Sequence, residues 1–147
     1  MDGGVALLLL ASAGGLYLWS LSKAAGNLIY LPGTFTGFSF SGISPEIQAT
    51  LVVQNTSNLS FTINSLAANV LSDGTQVGNV KSFIPTEIPS NSEASIPIIL
   101  TMQPIGIVNE IISIMTGGVG TRKVVITGSV NANGMQQAFS VEYKLGA

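Results

Sequence analysis

The sequence contains neither cysteine nor histidine among its 147 residues. Without cysteine, disulfides and thiolate metal sites are excluded, and no residue can carry a lipoprotein's lipid. Without histidine, the commonest general base and the commonest metal ligand are both missing. Charge is scarce too. Five Lys+Arg and seven Asp+Glu make up 8% of the chain, against about 25% in an average soluble protein. The net charge of −2 leaves no basic footprint, which speaks against a nucleic-acid partner. Surface polarity must come from Ser, Thr, Asn, Gln and Gly. Such a surface has little charge repulsion to protect it and suits a protein packed into a membrane or an assembly.

What the sequence does hold is a long apolar run. Residues 3–22 carry no charge. Leu7, Leu8, Leu9, Leu10, Leu16, Tyr17, Leu18 and Trp19 dominate the run. As a helix rising about 1.5 Å per residue it would measure roughly 30 Å, the thickness of a bilayer core. Tyr17 and Trp19 fall near one end, where amphipathic rings favour the headgroup zone. Lys23 closes the run and can snorkel to that interface. Gly14 and Gly15 disfavour a helix in water, yet they let helices approach closely in lipid.

Three readings of this run stay open: a retained transmembrane anchor, a cleaved signal peptide, and an apolar arm buried against partner subunits. Ala11-Ser12-Ala13 would serve as a cleavage site, but Met1-Asp2 lacks the positive charge of a secretory start. If the run spans a bilayer, Lys23 places the C-terminal domain on the cytoplasmic side.

Residues 24–33 read as a connector ending in the turn signal Pro32-Gly33. This divides the chain into an anchor and connector, 1–33, and a domain, 34–147. Beyond the connector the pattern changes to alternation with period two. Strands are expected at 35–40, 47–54, 61–71, 77–80, 94–102, 123–130 and 138–145. Asn55-Thr56-Ser57-Asn58 reads as a polar turn. Asp73-Gly74 and Asn133-Gly134 are strong hairpin signals. Pro85 and Pro89 make 84–91 an edge or a loop. One stretch breaks the alternation: Ile105, Val108, Ile111, Ile112 and Met115 recur at helical spacing, after Pro104 and before Gly117-Gly118. A further strand is the competing reading of that stretch. Seven to eight strands with frequent turns and one short helix predict an all-β sandwich of fibronectin-III or immunoglobulin type, preceded by the apolar helix.

The order of these elements resembles a known family. A strand at 47–54 leads into Asn55-Thr56-Ser57-Asn58 and then Phe61-x-Ile63-x-x-Leu66. A hairpin follows into Gln76-Val77-Gly78-Asn79-Val80, and Ile88-Pro89-Ser90-Asn91-Ser92 precedes the alternation of 96–100. This resembles the LEA14-like (late embryogenesis abundant type 2) domain over about residues 35–145. The chain departs from the family pattern at Thr56, where a proline is usual. The resemblance implies a fibronectin-III-like sandwich without catalytic residues, often carried behind a membrane anchor. Small proteins with a glycine-rich apolar start before such a domain also resemble bacteriophage virion proteins.

No catalytic constellation is legible. Glu87 and Glu93 flank one loop, where two solvated carboxylates are the simpler reading than a cation site. A serine would need Lys81 or Lys123 to activate it. Gly117-Gly118-Val119-Gly120 comes after a helix, so it reads as a helix stop and not as a phosphate loop. Arg122-Lys123 offers a small basic patch to anionic headgroups or a partner. Asn55-Thr56-Ser57 and Asn58-Leu59-Ser60 fit the glycosylation sequon but are explained as turn chemistry. The sequence therefore predicts a non-enzymatic structural protein with no cofactor, no metal and no small-molecule substrate. Its partners would be membrane lipid or other structural subunits, contacted through residues 3–22 within an oligomeric assembly. A virion component of a membrane-containing or tailless bacteriophage is the leading expectation. A cell-envelope module of the LEA14 type, binding a ligand or protecting membranes under stress, is the alternative.

Overall fold

Alternation of apolar and polar residues is realised most cleanly in the strand Ser44–Asn55 (β2), where every second residue is buried, from Pro45 through Ile47, Ala49, Leu51 and Val53 to Asn55. Side chains on successive strand residues point to opposite faces, so this pattern gives the strand one core face. The computed structural model describes residues 28–146. The other elements are β1 (Leu28–Ser41), β3 (Phe61–Ser72), β4 (Thr75–Phe83), β5 (Thr86–Ile88), β6 (Ser92–Met102), α1 (Gly106–Met115), β7 (Thr121–Ala132) and β8 (Met135–Gly146).

All strand pairs are antiparallel, in the order β1-β2-β6-β4-β3-β7-β8, with β5 added to β3. This is one curled sheet, a half-barrel, where the sequence suggested a sandwich. The strand β4 makes the corner. Its first half pairs with β3 (Val70↔Gly78) and its second half with β6 (Phe83↔Ile98). A register shift interrupts each ladder, as expected where a strand bends away from one neighbour. The two halves of the curl, β1-β2-β6 and β3-β7-β8, close over one apolar core that includes Ile47, Leu51, Phe61, Ile96, Leu100, Ile111 and Ile126. The outer strands β1 and β8 then meet along a seam without joining by a backbone ladder.

The turns form as their residues dictate. Asp73 (φ 51°) and Gly74 (φ 80°) join β3 to β4, and Asn133 (φ 53°) and Gly134 (φ 85°) join β7 to β8. Positive φ at both central residues is the I′ geometry that matches the twist of a hairpin. The helix ends on Gly117 (φ 97°), with Gly118 N–H donating to the Ser113 carbonyl at 2.7 Å and Gly117 N–H to Ile114 at 3.2 Å. This is a Schellman stop.

One expectation changes. Residues 28–33 belong to β1 and pair with β2, from Leu28↔Asn55 to Pro32↔Leu51. The Pro32-Gly33 step is a register shift within the strand, not a turn. An edge strand tolerates a proline because its missing N–H has an unpaired side to face. A side chain at Gly33 would collide with Thr50, so the close approach there requires glycine.

Candidate functional site

The seam is held by aromatic residues from both outer strands. Tyr30 of β1 packs on Phe139 of β8 with ring centroids 5.3 Å apart, and Phe35 packs on Tyr143 at 5.0 Å. The Tyr30 hydroxyl donates to Gln137 Oε1 at 2.7 Å, and the Tyr143 hydroxyl donates to the Thr50 carbonyl at 2.7 Å. Burial pushes the pKa of both tyrosines up to about 12; for Tyr143 a backbone hydrogen bond from Gly33 works the other way. Both phenols are therefore neutral donors at any ordinary pH.

Past the tyrosines the seam opens into a cleft of about 500 Å³ between the shifted stretch of β1 and the end of β8. The end of α1 closes its third side, since α1 packs against both β8 and β1. Phe35, Ile114, Met115 and Leu145 give the cleft an apolar lining, with Glu142 and Lys144 at its rim. Glu142 pairs with Lys123 at 3.6 Å. Lys144 is exposed and makes no ion pair among the described residues.

The other polar groups serve the fold. Asn55 is 1% exposed. Its Nδ2 donates to the carbonyls of Leu59 (2.6 Å), Ile88 (3.1 Å) and Pro89 (3.1 Å), while its Oδ1 accepts from Ser57 N–H (3.0 Å) and Oγ–H (2.6 Å). The first sequon is thus a structural clamp, as the turn reading predicted. Glu87 accepts from Ser60 and Glu93 from Gln54, so each carboxylate is held separately by a neutral side chain. The basic pair 122–123 is not a free patch. Arg122 bonds Ser72 (3.1 Å), Asp73 (2.8 Å) and Glu110, and Lys123 is held by Glu142. No group of three or more metal-ligating residues occurs among the described residues.

The predicted contact segment 3–22 and Lys23 lie outside the described residues. Among the described residues no helix is long and apolar enough to cross a membrane. A different apolar feature is visible at the β1–β2 hairpin. Phe38, Phe40 and Ile43 are 39%, 61% and 81% exposed at its tip. Neither this tip nor the cleft was singled out from the sequence. Phe38 and Phe40 look like ordinary strand residues, and both are indeed paired with β2 (Phe38↔Ile47, Phe40↔Pro45), yet their side chains stay exposed. Met115 and Leu145 belong to separate elements that only the closed seam brings together.

Neither a protein-family profile nor a curated protein sequence matches the chain. Among solved structures it is similar to a protein from Archaeoglobus fulgidus (14% identity, TM-score 0.44, covering 82% of this chain and 94% of that one). It is also similar to an uncharacterized β-sandwich protein from Clostridium difficile (12%, 0.39, 80% of each chain). A third similar structure is the GAE domain of yeast GGA1 (12%, 0.35, covering 82% and 90%). Likeness at this level is likeness of fold alone.

Proposed function

We propose that the chain is a non-enzymatic structural protein, held on a membrane or in an assembly by residues 3–22. On this reading its domain is of the LEA14-like, fibronectin-III-like type, and the protein is a virion component of a membrane-containing or tailless bacteriophage. One observation carries the proposal: the shortness of the link between the apolar run and the fold. Only residues 24–27 separate Lys23 from Leu28, which is 5% exposed and already paired with Asn55. A domain tied this closely rests against whatever holds residues 3–22. The apolar hairpin tip lies at the far end of β1, about 40 Å away at roughly 3.3 Å per strand residue, and offers a second contact to a neighbouring subunit. Mass spectrometry of purified particles tests the reading. The chain should be present at a fixed ratio to the capsid proteins. Its recovery in membranes of uninfected hosts and its absence from particles would overturn the virion assignment.

The seam cleft favours a second reading, a cell-envelope module of the LEA14 type that binds a ligand. Its volume of about 500 Å³ falls within the roughly 300–1,000 Å³ of small-molecule sites.

A further inference from the structure

The charge around the seam cleft is uneven. Lys123 and Lys144 face each other across β7 and β8, so their side chains lie on the same face of the sheet. Glu142, two residues before Lys144 on that face, is occupied by Lys123. On α1, the carboxylate of Glu110 is taken by Arg122. One positive charge, that of Lys144, is left over at the rim. Below it the lining turns apolar, through Leu145, Met115, Ile114 and Phe35. The residues on either side of Lys144 in β8, Tyr143 and Leu145, point to the opposite face, where Tyr143 is buried and Leu145 packs against the core. The edge of β8 thus separates a cationic outer face from an apolar inner one, with the cleft beside it.

We propose that the cleft between β1, β8 and the end of α1 binds a fatty-acid carboxylate, its tail against Phe35, Ile114, Met115 and Leu145 and its head group on Lys144. This rests on the ligand-binding reading of the cleft, and the anchored-scaffold reading has its own separate test. The charge pattern selects the ligand class. A cationic amphiphile would meet Lys144 as a like charge, and a neutral one would leave Lys144 unused. A polar metabolite would desolvate its hydroxyls against the apolar lining without partners. The cleft is open at the edge of β8, so a linear tail can enter with its head still outside.

The apolar run 3–22 would itself attract a fatty acid, so the measurement has to be site-resolved. The full chain is exposed to a long-chain fatty acid carrying a diazirine in its tail, irradiated, and mapped by peptide mass spectrometry. Adducts are expected on the peptides holding Phe35, Ile114–Met115 and Leu145, and free laurate should compete for them. Lys144→Glu, which replaces the attracting charge by a repelling one, should lower this labelling about tenfold, with labelling of residues 3–22 unchanged. Lys144→Arg should retain it, and Ile114→Trp, which fills the cleft, should remove it. Three results would overturn the proposal: adducts confined to residues 3–22, equal cleft labelling by an amine with the same tail, or cleft labelling indifferent to Lys144→Glu.

Discussion

Asn55 joins three parts of the chain through one side chain. It ends β2, organises the turn to β3, and reaches the carbonyls of Ile88 and Pro89 at the end of β5. Replacing it by alanine leaves the buried Ile88 carbonyl and the part-buried Leu59 and Pro89 carbonyls without this donor and empties its own site. Asn55→Ala should therefore cost about 2–4 kcal/mol, from several lost hydrogen bonds and unpaired acceptors. Asn58→Ala, in the same turn but exposed, should stay within about 0.5 kcal/mol. Urea midpoints of the two variants test the contrast. The turn itself was legible, because Asn and Ser in a polar tetrapeptide between apolar runs favour local side-chain-to-backbone bonds. The reach to Ile88 and Pro89 was not, because no local pattern says which distant carbonyls will lie above the turn. The seam tyrosines give a second residue-level expectation. Tyr30 and Tyr143 keep their protons to about pH 12 in the folded state and to about pH 10 when unfolded. A folded-state pKa above the unfolded one means stability fully present below pH 10 and lost as pH rises towards 12. In a chain lacking residues 1–27, where Tyr30 and Tyr143 are the only tyrosines, tyrosinate absorbance should therefore appear together with unfolding in that window. Tyr30→Phe/Tyr143→Phe should flatten the alkaline loss without changing its acid side. An unchanged alkaline profile in the double variant would show that other groups drive it.

The helix α1 was legible because its apolar residues recur every three or four positions, and the structure places Val108 and Ile111 in the core as that spacing requires. What holds the helix to the sheet was hidden. Arg122 ties it down, bridging Glu110 on the helix to Ser72 and Asp73 at the β3–β4 turn. From sequence, Arg122 and Lys123 looked like a patch for anionic partners, since their carboxylate partners lie 12 and 49 positions away for Arg122. The side chain of Arg122 is only 18% exposed, whereas Asp73 and Glu110 are 69% and 59% exposed. Solvent screens the acids, so the network is worth about 1–2 kcal/mol. Arg122→Ala should lower stability by that amount, and added salt should narrow the gap. Amide hydrogen exchange should rise first in α1, which loses its tie to the turn. Equal exchange in variant and parent would mean that Val108 and Ile111 hold the helix unaided. The first strand shows the opposite kind of misreading. Pro32-Gly33 carries a turn signature, and alternation restarts after it at Phe35. Yet β2 is long enough to template β1 on both sides of the irregularity, and tertiary pairing overrides the local signal.

The boundary of the folded unit is set by that pairing. Strand alternation and hairpin signals pointed to seven to eight strands and one short helix, and the structure has eight antiparallel strands; how the sheet curls was not legible. That depends on β4 leaving β3 for β6, a choice made by contacts far apart in sequence. The curl brings β8 back to β1, and the first half of β1 is part of what it meets. Leu28 is buried, and Tyr30 packs on Phe139 and bonds Gln137. A division after residue 33 would remove both and expose the Val53 and Leu51 end of β2 as a raw edge. Removing residues 1–27 should leave a β-rich domain that unfolds cooperatively in urea. Removing residues 1–33 should cost about 3–6 kcal/mol, from roughly 1.5–3 kcal/mol for each large apolar side chain lost, plus six residues of edge strand. A typical domain has only about 5–15 kcal/mol to lose, so this truncation should shift the urea midpoint far down and expose the seam to dye binding. Identical midpoints for the two truncations would mean that residues 28–33 belong to the tether after all, and the short link that supports an anchored domain would lengthen by that much.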